Sequence, residues 1–206
     1  MGSHRTTVGA VILAAGASER MGRPKALLPT GAEGGETFLE RLVGVAERAG
    51  LEPVRVVAGE QLEEIAAAMP QLAKLLVRNP NPELGQLSSL RVGLRALPEG
   101  AEGAVVFLVD HPLVEESTVA LLLERFRRSR RPIVIPSYEG RRGHPVLFGR
   151  AVFAEFFAAP LQEGARFVVR GRPELVDTVE VDDPGVLADI DTPEQYEKMM
   201  EGDRNG

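Results

Sequence analysis

The chain contains no cysteine among its 206 residues. Disulfide bonds and thiolate metal sites are therefore excluded, and a cytoplasmic location is our expectation. No apolar run approaches the roughly 18 residues that a membrane-spanning helix needs, so the sequence predicts no membrane partner. The formal net charge is −6 and the isoelectric point is about 5.3. This acidic balance argues against a nucleic-acid partner, because nucleic-acid-binding domains usually carry a basic face.

Aromatic residues make up only 5% of the chain, and tryptophan is absent. Stacking of aromatic side chains on a nucleobase or a pterin is therefore scarce, and backbone groups are the expected readers of any base. Hydrophobic residues account for 44% and charged residues for 26%, which fits one globular α/β domain. We place that domain at residues 7–201 and expect disordered tails at 1–6 and 202–206.

The most informative segment is the stretch 13–25, which reads LAAGASERMGRPK. It follows an apolar run, residues 8–13, that predicts a buried first strand. Glycine lets a backbone turn sharply and approach a ligand closely, and a helix that begins after a strand directs its N–H groups at an anion. Arg20, Arg23 and Lys25 would supply positive charge. The segment therefore predicts a phosphate-binding loop, and hence a nucleotide.

Two common phosphate-binding loops are excluded by spacing. A P-loop has four residues between its first glycine and a Gly-Lys-Ser/Thr sequence, whereas five residues separate Gly16 from Gly22 and Lys25 is followed by alanine. A dinucleotide-binding fingerprint needs G-x-G-x-x-G and an acidic residue at the end of the second strand. Gly16 begins no such motif, and the second apolar run, 54–58, ends in Gly59. The loop is therefore of another kind.

Apolar runs alternate with helical patterns along most of the chain. Strands are predicted at 8–13, 54–58, 74–77 and 104–109, and helices at 37–48, 60–68, 87–97 and 117–127. Residues 132–136 and 144–148 flank a loop with glycine and arginine and predict a late antiparallel hairpin. Short helices are predicted at 151–157 and 162–170, a last strand at 178–181, and a terminal helix at 193–200. The βαβαβ order favours an α/β fold with a mostly parallel sheet.

Polar residues follow three of these strands. In open α/β sheets, ligands bind beyond the carboxyl ends of the strands. The loop 16–25 follows the first strand, Asn79 and the helix-start residues Ser88 and Ser89 follow the third, and Asp110 follows the fourth. A carboxylate in such a place commonly holds Mg²⁺, but on its own Asp110 fits a turn residue equally well.

Two later segments carry groups that have more than one interpretation. Asp189 and Asp191 offer a second carboxylate for a metal, yet the Asp-Ile-Asp-Thr-Pro sequence also begins a helix well. The periodicity does not say which of the two carboxylates turns inward. The predicted hairpin carries Gly143 and His144, and a lone histidine on a strand is more often a structural residue than a ligand.

Five short motifs run in order through nearly the whole chain. They are Leu13-Ala-Ala-Gly16-x-Ser18-x-Arg20-Met21-Gly22-x-x-Lys25, Gly85 to Ser89, Asp110-His-Pro112, Gly143-His144-Pro145 and Asp189-Ile-Asp191-Thr192-Pro193. Together they resemble the MobA-like nucleotidyltransferases, and most closely the molybdenum cofactor cytidylyltransferases. The pair Ala14-Ala15 is similar to that branch, whereas guanylyl-transferring relatives more often have Ala-Gly-Gly. The resemblance implies a single-domain Rossmann-like fold of the nucleotide-diphospho-sugar transferase type.

The resemblance also implies a reaction, in which CMP passes from CTP to the terminal phosphate of molybdopterin with Mg²⁺ as cofactor and pyrophosphate as product. By this analogy the catalytic residues are Arg20, Lys25 and Asp110. The implied nucleotide-binding residues are Leu13, Ala14, Ala15, Gly16, Arg20, Lys25, Asn79, Gly85, Ser88 and Ser89. Asp110 with Asp189 or Asp191 would hold the metal, and Gly143 and His144 would lie near the acceptor. The hypothesis requires Lys25 and Asp110 to lie close together.

Other functions stay open at this level. GTP as donor, or a sugar-phosphate or polyol-phosphate acceptor, is compatible with the same motifs. A non-catalytic chaperone that delivers a nucleotide-bearing cofactor to a partner molybdoenzyme is a hypothesis of another class, and storage alone would not require the cations and carboxylates. Two departures from the family's pattern bear on the acceptor. Gln162-Glu163 replaces a frequent Gly-Asp, and His111 replaces a frequent Gln or Met.

Overall fold

An eight-stranded mixed sheet lies at the centre of the computed structural model, which describes residues 7–16, 21–31 and 35–203. The strands are β1 (Thr7–Leu13), β2 (Val54–Ala58), β3 (Leu76–Arg78), β4 (Ala101–Leu108), β5 (Ile133–Tyr138), β6 (Arg141–Arg142), β7 (Val146–Gly149) and β8 (Val176–Glu180). Their order is β3-β2-β1-β4-β7-β5-β6, with β8 paired to β5. The four strands β1, β2, β3 and β4 run parallel to one another, and β5 pairs in parallel with β8. β7 lies between β4 and β5 and runs antiparallel to both. The predicted α/β fold with a late antiparallel hairpin is confirmed.

Helices cover both faces of this sheet. The α-helices of the described residues are α1 (Phe38–Arg48), α2 (Leu62–Ala68), α3 (Gln86–Arg95), α4 (Glu116–Arg128), α5 (Phe153–Ala158), α6 (Arg166–Gly171) and α7 (Pro193–Asp203). Buried side chains of α1, α2 and α4 belong to the core on one face, and those of α3, α5 and α6 belong to the core on the other. No helix in the described ranges has the length and apolarity to cross a membrane.

The residues of β1 divide between the two cores. Ala10 and Ile12 pack into the core under α1 and α4, and Val11 and Leu13 pack into the core under α3 and α5. All four are at most 7% exposed. Because a strand buried on both faces reads as a continuous apolar run, the segment 8–13 was recognisable as a strand. Burial of each larger side chain contributes roughly 1.5–3 kcal/mol.

Three element predictions need correction. The helix expected at 162–170 is two pieces, a 3₁₀ turn at Leu161–Glu163 and then α6, because Gly164 between them adopts φ +69°. The third strand begins two residues later than expected, since a 3₁₀ turn occupies Pro70–Leu75. The last helix, α7, extends to Asp203, two residues into the segment expected to be a tail.

Candidate functional site

The carboxyl ends of β1, β2 and β4 are joined by backbone hydrogen bonds. The N–H of Ala14 donates to a carbonyl of β2 at 2.8 Å, and the carbonyl of Leu13 accepts from the residue that follows β4 at 3.1 Å. The side chains of Leu13 and Ala14 are buried, at 7% and 4% exposure. Ala15 is half-buried and Gly16 is exposed, so these two are the more accessible of the four predicted base-contacting residues. A Cβ added at Gly16 would meet no atom of the described residues within 4 Å. Contact of these residues with a base stays a prediction.

Lys25 begins a short 3₁₀ turn, Lys25–Leu27, after the β1 loop. Its side chain is only 11% exposed, and its Nζ lies 3.8 Å from Asp110 Oδ2. The same ammonium group forms an ion pair with Asp191 Oδ1. The ammonium thus lies between carboxylates from two distant stretches of the chain. Lys25 and Asp110 are close together, as the sequence hypothesis required.

The two aspartates near the C-terminus face different partners. The N–H of Ile190 donates to the backbone carbonyl of Asp110 at 2.8 Å, which holds the segment 189–191 against the end of β4. Ile190 is buried between the two aspartates, at 6% exposure. Asp191 contacts the lysine, whereas the ligand atoms of Asp189, Asp110 and His111 lie within 4.8 Å of one another. The structure therefore groups Asp189 rather than Asp191 with Asp110 and His111, and the role of either aspartate as a metal ligand stays a prediction.

Buried polar atoms without partners mark the same cluster. Within the described part of the chain, Asp110 Oδ1, His111 Nδ1 and His144 Nδ1 are buried and have no hydrogen-bond partner. An unsatisfied buried polar group costs on the order of 1–3 kcal/mol, and such groups are rare in native proteins unless a water, ion or ligand completes them. Asp110 Oδ1, with the Asp189 carboxylate beside it, fits a divalent cation, because carboxylate oxygens are the preferred ligands of Mg²⁺.

Burial and the neighbouring carboxylates raise the pKa of Asp189 above its ordinary value. Desolvation of its carboxyl group is the largest cause, and repulsion from Asp110 and Asp191 adds to it. His111 and Lys25 act in the opposite direction. A cation bound among these carboxylates would relieve the repulsion, which is a second reason to regard the cluster as a metal site.

The hairpin residues Gly143 and His144 pack against the 3₁₀ segment Pro184–Leu187. A Cβ on Gly143 would lie 2.2 Å from the carbonyl oxygen of Val186, so the position has no room for a side chain. The N–H of His144 donates to that carbonyl at 2.9 Å. The imidazole of His144 lies 5.1 Å from that of His111, measured between ring centroids. Both hairpin residues are thus adjacent to the carboxylate cluster, and their role at the acceptor stays a prediction.

The stability of the protein should depend on pH through His144. Burial, and next the nearby His111, lower the pKa of His144 from 6.5 to about 4. Between these values the unfolded chain binds the proton more tightly, so the free energy of unfolding falls as the pH drops from 6.5 towards 4. From pH 7 to pH 5 the protonation of His144 should lower the free energy of unfolding of the wild type by about 2 kcal/mol. Urea unfolding at both pH values should show that the free energy of unfolding of His144→Gln falls by about 2 kcal/mol less than that of the wild type. An equal fall in variant and wild type would contradict the lowered pKa of His144.

Asn79, Ser88 and Ser89 form a buried hydrogen-bond network. Asn79 Nδ2 donates to Ser89 Oγ at 2.9 Å and to Ser88 Oγ at 3.2 Å. The N–H of Asn81 donates to Asn79 Oδ1 at 3.0 Å. Gly85, which precedes α3, has φ +88°, a conformation that glycine adopts without strain. These residues shape the loop between β3 and α3, and their contact with a nucleotide stays a prediction.

Arg20 lies outside the described residues, so its predicted catalytic and nucleotide-binding roles have no structural placement. The structure adds Gly59, which the sequence did not single out as functional. A Cβ on Gly59 would lie 2.9 Å from Pro82 Cβ and 3.3 Å from the carbonyl oxygen of Ala15. Glycine therefore lets the loops after β1, β2 and β3 approach one another. Its position directly after an apolar strand was the available signal.

A family model described as the MobA-like NTP transferase domain matches residues 10–179. The chain belongs to this family. The MobA-like match includes Lys25, Asp110 and the hairpin with His144, whereas Asp189 and Asp191 lie beyond its end. The sequence-based assignment to the MobA-like nucleotidyltransferases is confirmed.

Proteins similar to this MobA-like chain carry different names. Nicotine blue oxidoreductase of Paenarthrobacter nicotinovorans is 31% identical over an alignment of 202 residues, and this alignment covers 94% of this chain and 96% of that protein. A probable molybdenum cofactor guanylyltransferase of Mycobacterium avium is 34% identical over 159 residues, 76% of each chain. The latter is named for guanylyl transfer rather than the cytidylyl transfer that the sequence favoured. Membership of the family therefore leaves the base and the acceptor undecided.

Solved structures share the whole MobA-like fold. Rv0371c from Mycobacterium tuberculosis superposes with a TM-score of 0.83 at 31% identity, over 95% of this chain and 99% of that one. A complex of Rv0371c with manganese superposes with a TM-score of 0.76 at 28% identity, with the same coverage. The Rossmann-like nucleotidyltransferase architecture expected from the sequence is confirmed.

Proposed function

We propose that the protein is a metal-dependent nucleotidyltransferase. It transfers the nucleoside monophosphate of CTP or GTP to the terminal phosphate of a molybdopterin-type acceptor and releases pyrophosphate. The observation that carries the proposal is the convergence of Lys25, Asp110 and Asp189 at the carboxyl edge of the sheet, with Lys25 Nζ 3.8 Å from Asp110 Oδ2.

The arrangement suits phosphoryl-type transfer, which depends mostly on positioning and charge neutralisation. A terminal phosphate oxygen of the acceptor attacks the α-phosphorus of the triphosphate, and the bond from that phosphorus to the bridging oxygen of pyrophosphate breaks. Lys25 is placed to neutralise phosphate charge, and Asp191 holds its ammonium group in position. The attacking phosphate is already ionised, so no dedicated general base is needed.

Asp110 and Asp189 are the residues that would hold the divalent cation. When bound, such an ion supplies positive charge that neutralises the triphosphate and the leaving pyrophosphate. Two carboxylates whose remaining ligands are phosphate oxygens and water suit either Mg²⁺ or Mn²⁺. The manganese complex of the similar Rv0371c supports a divalent metal in this fold.

Two observations on the base point in different directions. Ala14-Ala15 is similar to the cytidylyltransferase branch, and the guanylyltransferase name of the mycobacterial relative favours GTP. If the backbone groups of Ala15 and Gly16, the more accessible residues at the end of β1, contact the base, the choice between the two bases depends on the geometry of that loop. Both nucleotides therefore enter the test as donors.

The direct test measures pyrophosphate release from CTP and from GTP, each with and without molybdopterin, in the presence of a divalent metal. We expect release with one nucleotide and only when the acceptor is present, together with movement of an α-phosphate radiolabel into the molybdopterin product. Folded protein that transfers label from neither nucleotide would contradict the proposal. Label transfer to a sugar phosphate or polyol phosphate instead would keep the reaction class and change the acceptor.

A second candidate follows from the near full-length similarity to nicotine blue oxidoreductase. An oxidoreductase needs an electron carrier, and the loop 13–25 lacks the G-x-G-x-x-G sequence of dinucleotide-binding proteins. Oxidation of a reduced nicotinamide dinucleotide by the purified protein, with an added electron acceptor that is reduced in the same reaction and without any triphosphate turnover, would favour this candidate. Co-purification with a molybdoenzyme, again without turnover, would favour the cofactor-delivery hypothesis.

A further inference from the structure

His111 is a buried histidine with an unused ring nitrogen. It is 9% exposed, and its Nδ1 has no hydrogen-bond partner within the described part of the chain. Its backbone N–H donates to the carbonyl of Leu108 at 3.0 Å, which ties the residue to the end of β4. A buried imidazole nitrogen that has no partner among the described residues indicates a ligand that completes it.

The neighbours of His111 identify that ligand as a cation. A ring nitrogen of His111 and carboxylate oxygens of Asp110 and Asp189 lie within 4.8 Å of one another. Asp110 Oδ2 faces Lys25, whereas Asp110 Oδ1 is buried and has no partner among the described residues. Three donors from two segments, which the backbone hydrogen bond from Ile190 to Asp110 holds together, therefore lie close enough to one another to ligate one cation.

We propose that His111 is the third protein ligand of the metal, and that it makes the site selective for Mn²⁺ over Mg²⁺. Mg²⁺ binds through oxygen ligands and keeps several waters. Mn²⁺ takes the same oxygen ligands, but it belongs to the first-row series of metals, which bind nitrogen ligands as well. One imidazole and two carboxylates form a mixed donor set that Mn²⁺ accepts more readily than Mg²⁺. The identification of the bound ion as the one used in catalysis rests on the proposed function, but the binding site itself does not.

The second histidine of the region provides the matched control. The His144 ring lies 5.1 Å from the His111 ring, and His144 Nδ1 is also buried, with no hydrogen-bond partner among the residues that the structure describes. Yet His144 does not belong to the group of ligand atoms within 4.8 Å that Asp110, His111 and Asp189 form. A nitrogen ligand should therefore come from His111 and not from His144.

The test is pulsed electron paramagnetic resonance of metal-stripped protein loaded with one equivalent of Mn²⁺, without nucleotide or acceptor. We expect modulation from a directly coordinated imidazole nitrogen in the wild type and in His144→Gln, and none in His111→Gln. Titrations should show Mn²⁺ affinity at least about tenfold weaker in His111→Gln, with a much smaller change for Mg²⁺. In Asp189→Asn both metals should bind more weakly while the nitrogen modulation stays.

Several outcomes would overturn the inference. One is that the wild type does not bind Mn²⁺, or that it binds Mn²⁺ without nitrogen modulation. Another is that the modulation persists in folded His111→Gln, or that this variant loses affinity for Mn²⁺ and for Mg²⁺ equally. If His111→Gln does not fold, isotopic substitution of histidine nitrogen in the wild type, together with His144→Gln, still locates the ligand. If the wild type shows nitrogen modulation but releases no pyrophosphate in the separate turnover assay, the proposed function is wrong and the metal site is still supported.

Discussion

Replacing Asp110 with asparagine should lower the rate of acceptor-dependent pyrophosphate release by about 10³-fold. Asparagine keeps the size of the side chain but removes the negative charge of Asp110, which lies near both the Lys25 ammonium group and the Asp189 carboxylate. The backbone carbonyl of Asp110, which accepts from Ile190 at 2.8 Å, is unchanged, so the loop should keep its path. The measurement is kcat at saturating nucleotide, together with Mn²⁺ affinity, which should fall in parallel.

The matched control is Glu102→Gln. Glu102 is an exposed carboxylate on the same strand as the Asp110 turn, but near the opposite end of β4. It lies away from the carboxyl edge of the sheet, so its neutralisation should leave turnover within about twofold of wild type, as is usual for a surface change. Turnover of folded Asp110→Asn within about tenfold of wild type would remove the metal role from Asp110.

Replacing Lys25 with methionine should lower kcat/KM for the nucleotide by about 100-fold. Methionine fills the place of the lysine's buried stem, since the Lys25 side chain is 11% exposed, but it cannot neutralise phosphate. The metal should respond in the opposite sense. Loss of a cation 3.8 Å from Asp110 Oδ2 should leave Mn²⁺ affinity unchanged or higher, because the repulsion between ammonium and metal is gone.

A loss of nucleotide affinity without a loss of Mn²⁺ affinity distinguishes a lysine that binds the substrate from one that only supports the structure. Nucleotide affinity and metal affinity are measured on the same folded sample, with Lys74→Met as control because Lys74 is exposed on the 3₁₀ turn before β3. A parallel loss of both affinities in Lys25→Met would mean that Lys25 supports the fold of the site rather than the triphosphate.

Much of the fold was readable because its physical causes are local. The first strand is buried on both faces and therefore reads as an unbroken apolar run, and the helix α1 begins with a capping box between Thr37 and Glu40. The pairing of β8 with β5 was not readable, because parallel pairing between distant segments leaves no local pattern. The break before α6 depends on the conformation of Gly164, which composition alone does not reveal.

The site was readable in part for a related reason. Lys25 and Asp110 each follow a strand of a parallel sheet, so their meeting at the carboxyl edge follows from topology. Which of Asp189 and Asp191 lies beside Asp110 depends on long-range contacts, among them the hydrogen bond from Ile190 to Asp110 and the ion pair between Lys25 and Asp191. No periodicity exists in such an irregular segment. Gly143 was predicted beside the acceptor, and its contact with Val186 shows that packing also requires glycine there.

Lys25, Asp110 and Asp189 should meet around one metal-bound triphosphate. An anomalous difference map from crystals grown with Mn²⁺ and a non-hydrolysable CTP or GTP analogue tests this arrangement. We expect one manganese peak in coordination contact with Asp110 Oδ1, a carboxylate oxygen of Asp189 and phosphate oxygens, with Lys25 Nζ on the same phosphates. A triphosphate bound at another edge of the sheet, or a manganese peak away from Asp110, would contradict it.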